Sequence, residues 1–204
     1  MNNLIKIGFF ASRIYSSTFS DLLNIDYDSD TFAQETNAAK HYSKWWSDKT
    51  NILTKEYESR LGIGSSERSF KCYVVKNLPG NIPFAPPVTI SYNYSSDKEF
   101  SIGLRPIGLL HEIVHYFECF DTQTHNRFVN TLKLIDDRYP NIDSLTRNHI
   151  VTSLVELPIA GAINVKNINF GGIEAYKEAY RIVGSLKPKY TEGNVFDYLD
   201  GVLK

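Results

Sequence analysis

The residues best suited to chemistry are His111, Glu112 and His115, which form the pattern His-Glu-x-x-His within residues 108–117. Because residues four apart lie on the same face of a helix, the two imidazoles would point at a single position. Two imidazoles are suitable first ligands for a tetrahedral Zn²⁺ site. Glu112 lies about 100° further round the helix, where it can act as general base for a water that the metal activates. The pattern therefore predicts the chemistry of a zinc hydrolase.

The flanking residues indicate that this motif lies on a helix of about residues 105–120. Leu110, Val114 and Phe117 recur at i, i+4 and i+7, which is the spacing of an apolar helical stripe. Pro106 suits the first turn of a helix, where its missing N–H costs nothing. The alternative is an amphipathic core helix that carries two incidental histidines. The context favours the metal site.

A catalytic zinc needs a third protein ligand, and the sequence offers several candidates. Asp121 is favoured because it stands where the metzincin spacing HExxHxxGxxH puts its third ligand, although Glu118 replaces the glycine of that pattern. Asp121 is otherwise the N-cap of the next helix. Glu156 is the rival; in its apolar segment it would alternatively accept the N–H of a ligand histidine or pair with an arginine. His125 and His149 are further candidates, but their polar neighbours predict exposure.

Composition indicates an ordinary globular protein. The chain has 204 residues, 42% of them hydrophobic and 22% charged, so one domain with a substantial core is expected. A net charge of −1 gives no general basis for binding nucleic acid or an anionic membrane. Cys72 and Cys119 are far apart, which excludes a disulfide scaffold, and their neighbours predict two buried thiols. The sequence shows neither a long apolar run nor the hydrophobic core of a Sec signal.

The pattern of elements predicts an α+β fold with a small mixed sheet packed on helices. Residues 1–12 suit a strand or a first helical turn, and residues 18–61 are helical in pattern apart from a break at 26–30. After that break, two helices are expected at 31–48 and 51–61, the second ended by Gly62. A helix is also expected at about 145–163, with a kink or a restart at Pro158. Strands are expected at 69–76 and 88–94, the second half-buried by its alternation and at a sheet edge. Residues 1–62 form an N-terminal helical part and 63–204 the catalytic core, together one compact domain, 1–204.

These residues resemble a known family. His111-Glu-Ile-Val-His115 followed by Asp121, with Gly108-Leu-Leu just before, is similar to the NleC-type zinc metalloproteases. Those proteins are effectors and toxins of bacterial pathogens or phage-borne genes, and they cleave NF-κB subunits. The resemblance implies a zincin-like fold, a Zn²⁺ cofactor, His111, His115 and Asp121 as metal ligands, and Glu112 as catalytic base. It also implies a tyrosine near the metal, for which Tyr176 and Tyr180 are candidates.

The resulting hypothesis is a secreted virulence effector: a zinc endopeptidase that acts as a monomer on a host protein, without nucleic-acid or membrane binding. Delivery into a host cell by a route other than Sec is expected, with a cytoplasmic location as the alternative. In zincins an edge strand binds extended substrate, and residues 88–94 would serve this purpose. The alternative functions are a gluzincin-type peptidase that uses Glu156 as third ligand, and an inactive zincin-like binding module.

Overall fold

The computed structural model describes residues 5–64, 67–79, 82–91, 106–165, 174–186, 190 and 192–204. The elements follow the chain in the order β1 Ile5–Phe10, α1 Arg13–Leu22, α2 Ser29–Leu61, β2 Arg68–Val75, β3 Val88–Ser91, α3 Pro106–Phe120, α4 Thr122–Arg138, α5 Ser144–Ala162, α6 Glu174–Leu186 and α7 Val195–Leu203. The fold is therefore α+β, as the sequence predicts, and it is mostly helical. Two compact units are present: Met1–Asn51 with Ser66–Ile113, and Ile52–Ser65 with Val114–Lys204.

The first unit contains the sheet, whose three described strands lie in the order β1-β2-β3. Ile7 pairs with Phe70 and Val74 with Ile90, and both pairings are parallel, whereas a mixed sheet was predicted. All four residues of β3 are buried. The predicted half-buried strand is therefore wrong over this range, because parallel strands are usually covered on both faces. Residues 92–94 of the predicted strand lie outside the described residues.

Helix α2 is continuous over 33 residues, where the sequence pattern indicated two helices. No glycine or proline interrupts it, so helix propensity carries the chain through. Trp46 is buried and donates its indole N–H to the carbonyl of Ile5 at 3.1 Å, whereas Trp45 is partly exposed. The two adjacent tryptophans thus face different ways, as expected on a helix. Gly62 ends the helix with a φ of +66°, which confirms its predicted role as the terminating residue.

The second unit is helical in its described residues. Helix α5 packs on α6, and α4 packs on α7. Asp121, Asp143 and Asn194 cap α4, α5 and α7 respectively by accepting hydrogen bonds from the first backbone N–H groups. Helix α5 continues through Pro158, where the sequence suggested a kink or a restart. Residues 149–156 of α5 are all buried, as in a central helix of a core.

Two further expectations are decided by the described residues. Neither cysteine forms a disulfide; Cys72 is buried as predicted, but Cys119 is exposed because it lies on the outer side of the last turn of α3. Within the described ranges, none of the helices combines the length and hydropathy needed to cross a membrane.

Candidate metal centre

Helix α3 carries the His-Glu-x-x-His motif and begins at Pro106, as the sequence predicts. Leu110, Val114 and Phe117 are fully buried. His111 and Glu112 are buried as well, with only 7% and 4% of their surfaces exposed. Burial of a carboxylate and an imidazole is costly unless both have polar or ionic partners. Their position on the apolar part of the helix is therefore a specific feature that core packing alone does not require.

Three imidazoles meet at this helix. His111 and His115 lie one turn apart on α3, and the third is His149 of α5. One ring nitrogen from each lies within 4.8 Å of the others. Ligand nitrogens around tetrahedral Zn²⁺ are about 3.4 Å apart, as Zn–N bonds of about 2.0–2.1 Å require. Small rotations of the side chains would close that difference, so the three residues are close enough to bind a metal ion.

The buried ring of His149 is held in a definite orientation. Its Nδ1 lies 2.6 Å from the carbonyl oxygen of Leu145, one turn earlier on α5. Because a carbonyl only accepts, Nδ1 carries the proton and Nε2 is left with a lone pair for a metal. The ring also packs against Tyr176, with centroids 4.1 Å apart, and edge-on to His115 at 5.5 Å. The predicted exposure of this histidine is therefore wrong.

His115 has a carboxylate partner that the sequence analysis did not recognise. Its Nδ1 lies 2.7 Å from Oε2 of Glu118, which is buried. The other oxygen of Glu118 accepts a long hydrogen bond from Thr152 at 3.4 Å. The signal was present in the sequence: Glu118 stands three residues after His115, a spacing at which helical side chains meet. From the spacing of the metzincin pattern alone, position 118 is notable only because Glu118 replaces its glycine.

Asp121, the favoured third ligand, is not a member of the histidine group. It caps helix α4, because its carboxylate accepts from the backbone N–H and from the hydroxyl of Thr124, both at 2.9 Å. Helix α4 starts at once after α3, whereas the metzincin pattern uses glycine at position 118 to turn the chain back to the metal. In the structure it is therefore His149, and not Asp121, that lies with His111 and His115.

The remaining candidates have other partners. Glu156 is fully buried and accepts a short hydrogen bond from the hydroxyl of Tyr180. Burial, followed by the nearby Glu156 carboxylate, raises the pKa of Tyr180 far above its usual value and keeps it a neutral donor. The same two causes raise the pKa of Tyr57. His125 is exposed, as expected, and its Nδ1 lies 2.8 Å from the carbonyl of Glu118.

Glu112 lies in a poorly solvated environment beside the sheet. The pKa of the Cys72 thiol on β2 is raised well above its usual value, mainly by burial and then by the negative charge of Glu112. Cys72 therefore remains a neutral thiol next to this carboxylate. Catalytic carboxylates are commonly placed in buried surroundings of this kind.

Comparison of the chain with models of known families, with curated proteins and with solved structures found no match. The class of protein is accordingly defined by the fold and the site alone. The chain is a mostly helical α+β protein, and His111, His115 and His149 lie close enough to bind a metal ion.

Proposed function

We propose that this protein is a zinc-dependent peptidase with His111, His115 and His149 as metal ligands and Glu112 as general base. The observation that carries the proposal is the convergence of a third, buried imidazole on the two histidines of a His-Glu-x-x-His helix. A helix that merely contained two incidental histidines would give no reason for a third ring to be buried beside them. The metal-free core helix is therefore the weaker interpretation.

We propose Zn²⁺ as the metal because His-Glu-x-x-His on a helix is the usual pattern of zinc hydrolases. Three neutral imidazoles suit Zn²⁺, Cu²⁺, Fe²⁺ or Ni²⁺ rather than Mg²⁺ or Ca²⁺, which prefer oxygen. Three protein ligands with the fourth position left to water or substrate is the usual arrangement of catalytic zinc, whereas structural zinc has four protein ligands. The described group has three members. This number supports a catalytic site over the alternative of an inactive module that holds a structural metal.

The chain's own residues have separable roles in the proposed hydrolysis. Bound Zn²⁺ would supply Lewis acidity toward the scissile carbonyl and the attacking water. Glu112 would take the proton from that water and deliver it to the leaving amine. Glu112 is buried and directly follows the proposed ligand His111 in the sequence, which would place its carboxylate close to the metal-bound water. Tyr176, which packs on His149, is the tyrosine that we assign to the ligand cluster.

The resemblance to NleC-type proteases supports a more specific proposal. His111, Glu112 and His115 match that family's helix, but the Asp121 ligand does not follow, because Asp121 caps α4. We propose a zincin-related effector or toxin with NF-κB subunits as substrate, delivered into host cells by a route other than Sec. The departure at the third ligand makes the peptidase chemistry the primary proposal and the NF-κB substrate a secondary one.

The test compares wild-type protein with the Glu112→Gln variant. Zinc content is measured on the folded proteins, and cleavage is followed with denatured casein and with purified NF-κB subunits as probes. We expect one zinc per chain in both proteins and a loss of about 10²–10⁴-fold in cleavage rate for Glu112→Gln, the usual contribution of general base catalysis. Glu174→Gln, which alters an exposed carboxylate on α6, serves as the control.

Each outcome has a definite meaning. Full cleavage by Glu112→Gln would refute Glu112 as the base. A zinc-loaded wild-type protein that cleaves neither probe, while binding NF-κB subunits, would support the binding module instead. Cleavage of casein without cleavage of NF-κB subunits would retain the peptidase and remove the proposed substrate.

A further inference from the structure

Glu118 holds the ring of one proposed ligand in place. Its Oε2 lies 2.7 Å from Nδ1 of His115, and the carboxylate is 95% shielded from solvent, whereas the imidazole is 22% exposed. An ionised carboxylate can only accept, so the proton of the neutral imidazole lies on Nδ1. The lone pair is then on Nε2, the nitrogen on the far side of the ring. The contact therefore selects the tautomer and limits rotation of the ring.

The same carboxylate also joins the helices that carry two of the ligands. Thr152 lies three residues after His149 on α5, and its hydroxyl is 3.4 Å from Oε1 of Glu118. That hydroxyl is also 3.3 Å from the carbonyl of Asn148, so it shares one proton between two acceptors. Through Glu118, the ring of His115 on α3 is connected to the neighbouring turn of α5. A displacement of either helix would be transmitted to the ring.

The two rings of the second unit thus differ in how they are oriented. The ring of His149 is oriented by the backbone carbonyl of Leu145, which no side-chain substitution removes. A side chain fixes His115. Negative charge on the acceptor of a ligand histidine increases the basicity of that ligand, and loss of such an acceptor typically weakens metal binding 10–100-fold. One ligand of the site is therefore open to a selective test.

We propose that Glu118 is a positioning residue that aligns His115 for metal binding and strengthens it as a ligand, with Thr152 holding the carboxylate in place. This inference rests on the proposed metal site. It adds Glu118 and Thr152 to the three histidines on which metal affinity is proposed to depend.

The experiment measures the zinc dissociation constant of folded protein by competition with a chromogenic chelator. The variants are Glu118→Gln, Glu118→Ala and Thr152→Val, with the exposed Glu174→Gln as control. We expect the affinity to fall about 10-fold in Glu118→Gln, which keeps an acceptor without its charge, and toward 100-fold in Glu118→Ala. The zinc affinity of Thr152→Val should fall severalfold. Cobalt-substituted protein should show altered d–d absorption bands in the Glu118 variants and unaltered bands in the control.

A merely structural role for Glu118 predicts a different result. The melting temperature of metal-free protein would fall, while the zinc affinity and the cobalt spectrum of the folded variants stayed as in wild type; that result overturns the proposal. If Glu118→Ala fails to fold, Glu118→Gln and Thr152→Val decide, and wild-type affinity in both refutes it. Failure of the metal site itself is distinguishable, because wild-type protein would then bind no stoichiometric zinc.

Discussion

Substitution of His149 and of Asp121 by alanine is the most direct test of which residue is the third metal ligand. We expect His149→Ala to lose zinc but Asp121→Ala to keep it, although the motif spacing alone favours the opposite. In the structure His149 belongs to the imidazole group, whereas Asp121 accepts from two groups of Thr124 at the start of α4. His149→Ala should therefore lose zinc affinity, whereas Asp121→Ala should lose thermal stability.

The magnitudes follow from these contacts. Binding of zinc by four-ligand peptides is worth about 10–16 kcal/mol, or roughly 3 kcal/mol for each ligand, so His149→Ala should weaken affinity by about a hundredfold or more. Loss of a helix N-cap costs about 0.5–2 kcal/mol. For a chain of this size, 1 kcal/mol corresponds to roughly 2–4 °C in Tm. Asp121→Ala should therefore melt a few degrees lower and bind zinc as wild type does.

The assay is thermal unfolding with and without zinc, combined with chelator competition on the folded proteins. Wild type and Asp121→Ala should gain about 2.7 kcal/mol of stability at zinc concentrations of 100 times Kd, whereas His149→Ala should gain almost none. Asn194→Ala, which removes the N-cap of α7, is a matched control that lowers Tm without affecting zinc. Zinc lost from Asp121→Ala and retained by His149→Ala would refute the assignment and restore the spacing-based ligand set.

Two further predictions concern stability. Tyr180→Phe removes a hydroxyl donor from the buried carboxylate of Glu156 and should lower the free energy of unfolding in urea by about 1.5–3 kcal/mol. The control is Tyr198→Phe, which should lose only about 0.5–1.5 kcal/mol because its hydroxyl donates to a neutral backbone carbonyl. Equal losses in the two variants would contradict a charge-assisted bond to Glu156. Hydrogen bonds from Thr146 hold the pKa of Asp143 below its ordinary 3.8. The ionised carboxylate therefore stabilises the folded protein above about pH 4, and this stabilisation is lost as pH falls through the folded-state pKa. The Tm of Asp143→Asn should accordingly fall less steeply than wild type below about pH 4, and parallel curves would count against this.

Much of the architecture could be predicted because it depends on local patterns. The apolar stripe around Val114 predicted α3, and Gly62 was recognised as the end of α2 from its freedom to adopt positive φ. The division of α2 into two helices was wrong, since no helix-breaking residue is present. The half-buried character of β3 was also wrong, because alternation of residue type does not reveal that a parallel strand is covered on both faces.

The candidate site was predictable only in part. The pair His111 and His115 follows from helical periodicity, and Glu118 could have been found by the same rule, since it stands three residues beyond His115. Glu156 attracted attention correctly as a buried carboxylate, but its partner Tyr180 lies on another helix. No spacing rule connects residues whose proximity depends on packing between helices.

By itself, the sequence determined which two imidazoles share a helix face and which carboxylate stands beside them, because 3.6 residues per turn leave no other arrangement of His111, Glu112 and His115. Only the tertiary structure decided the third member of the group. Packing between helices buries His149, and its Nδ1 donates to a backbone carbonyl. Asp121 instead caps the N-terminus of α4. A ligand supplied by a separate helix depends on long-range burial, which local spacing does not encode.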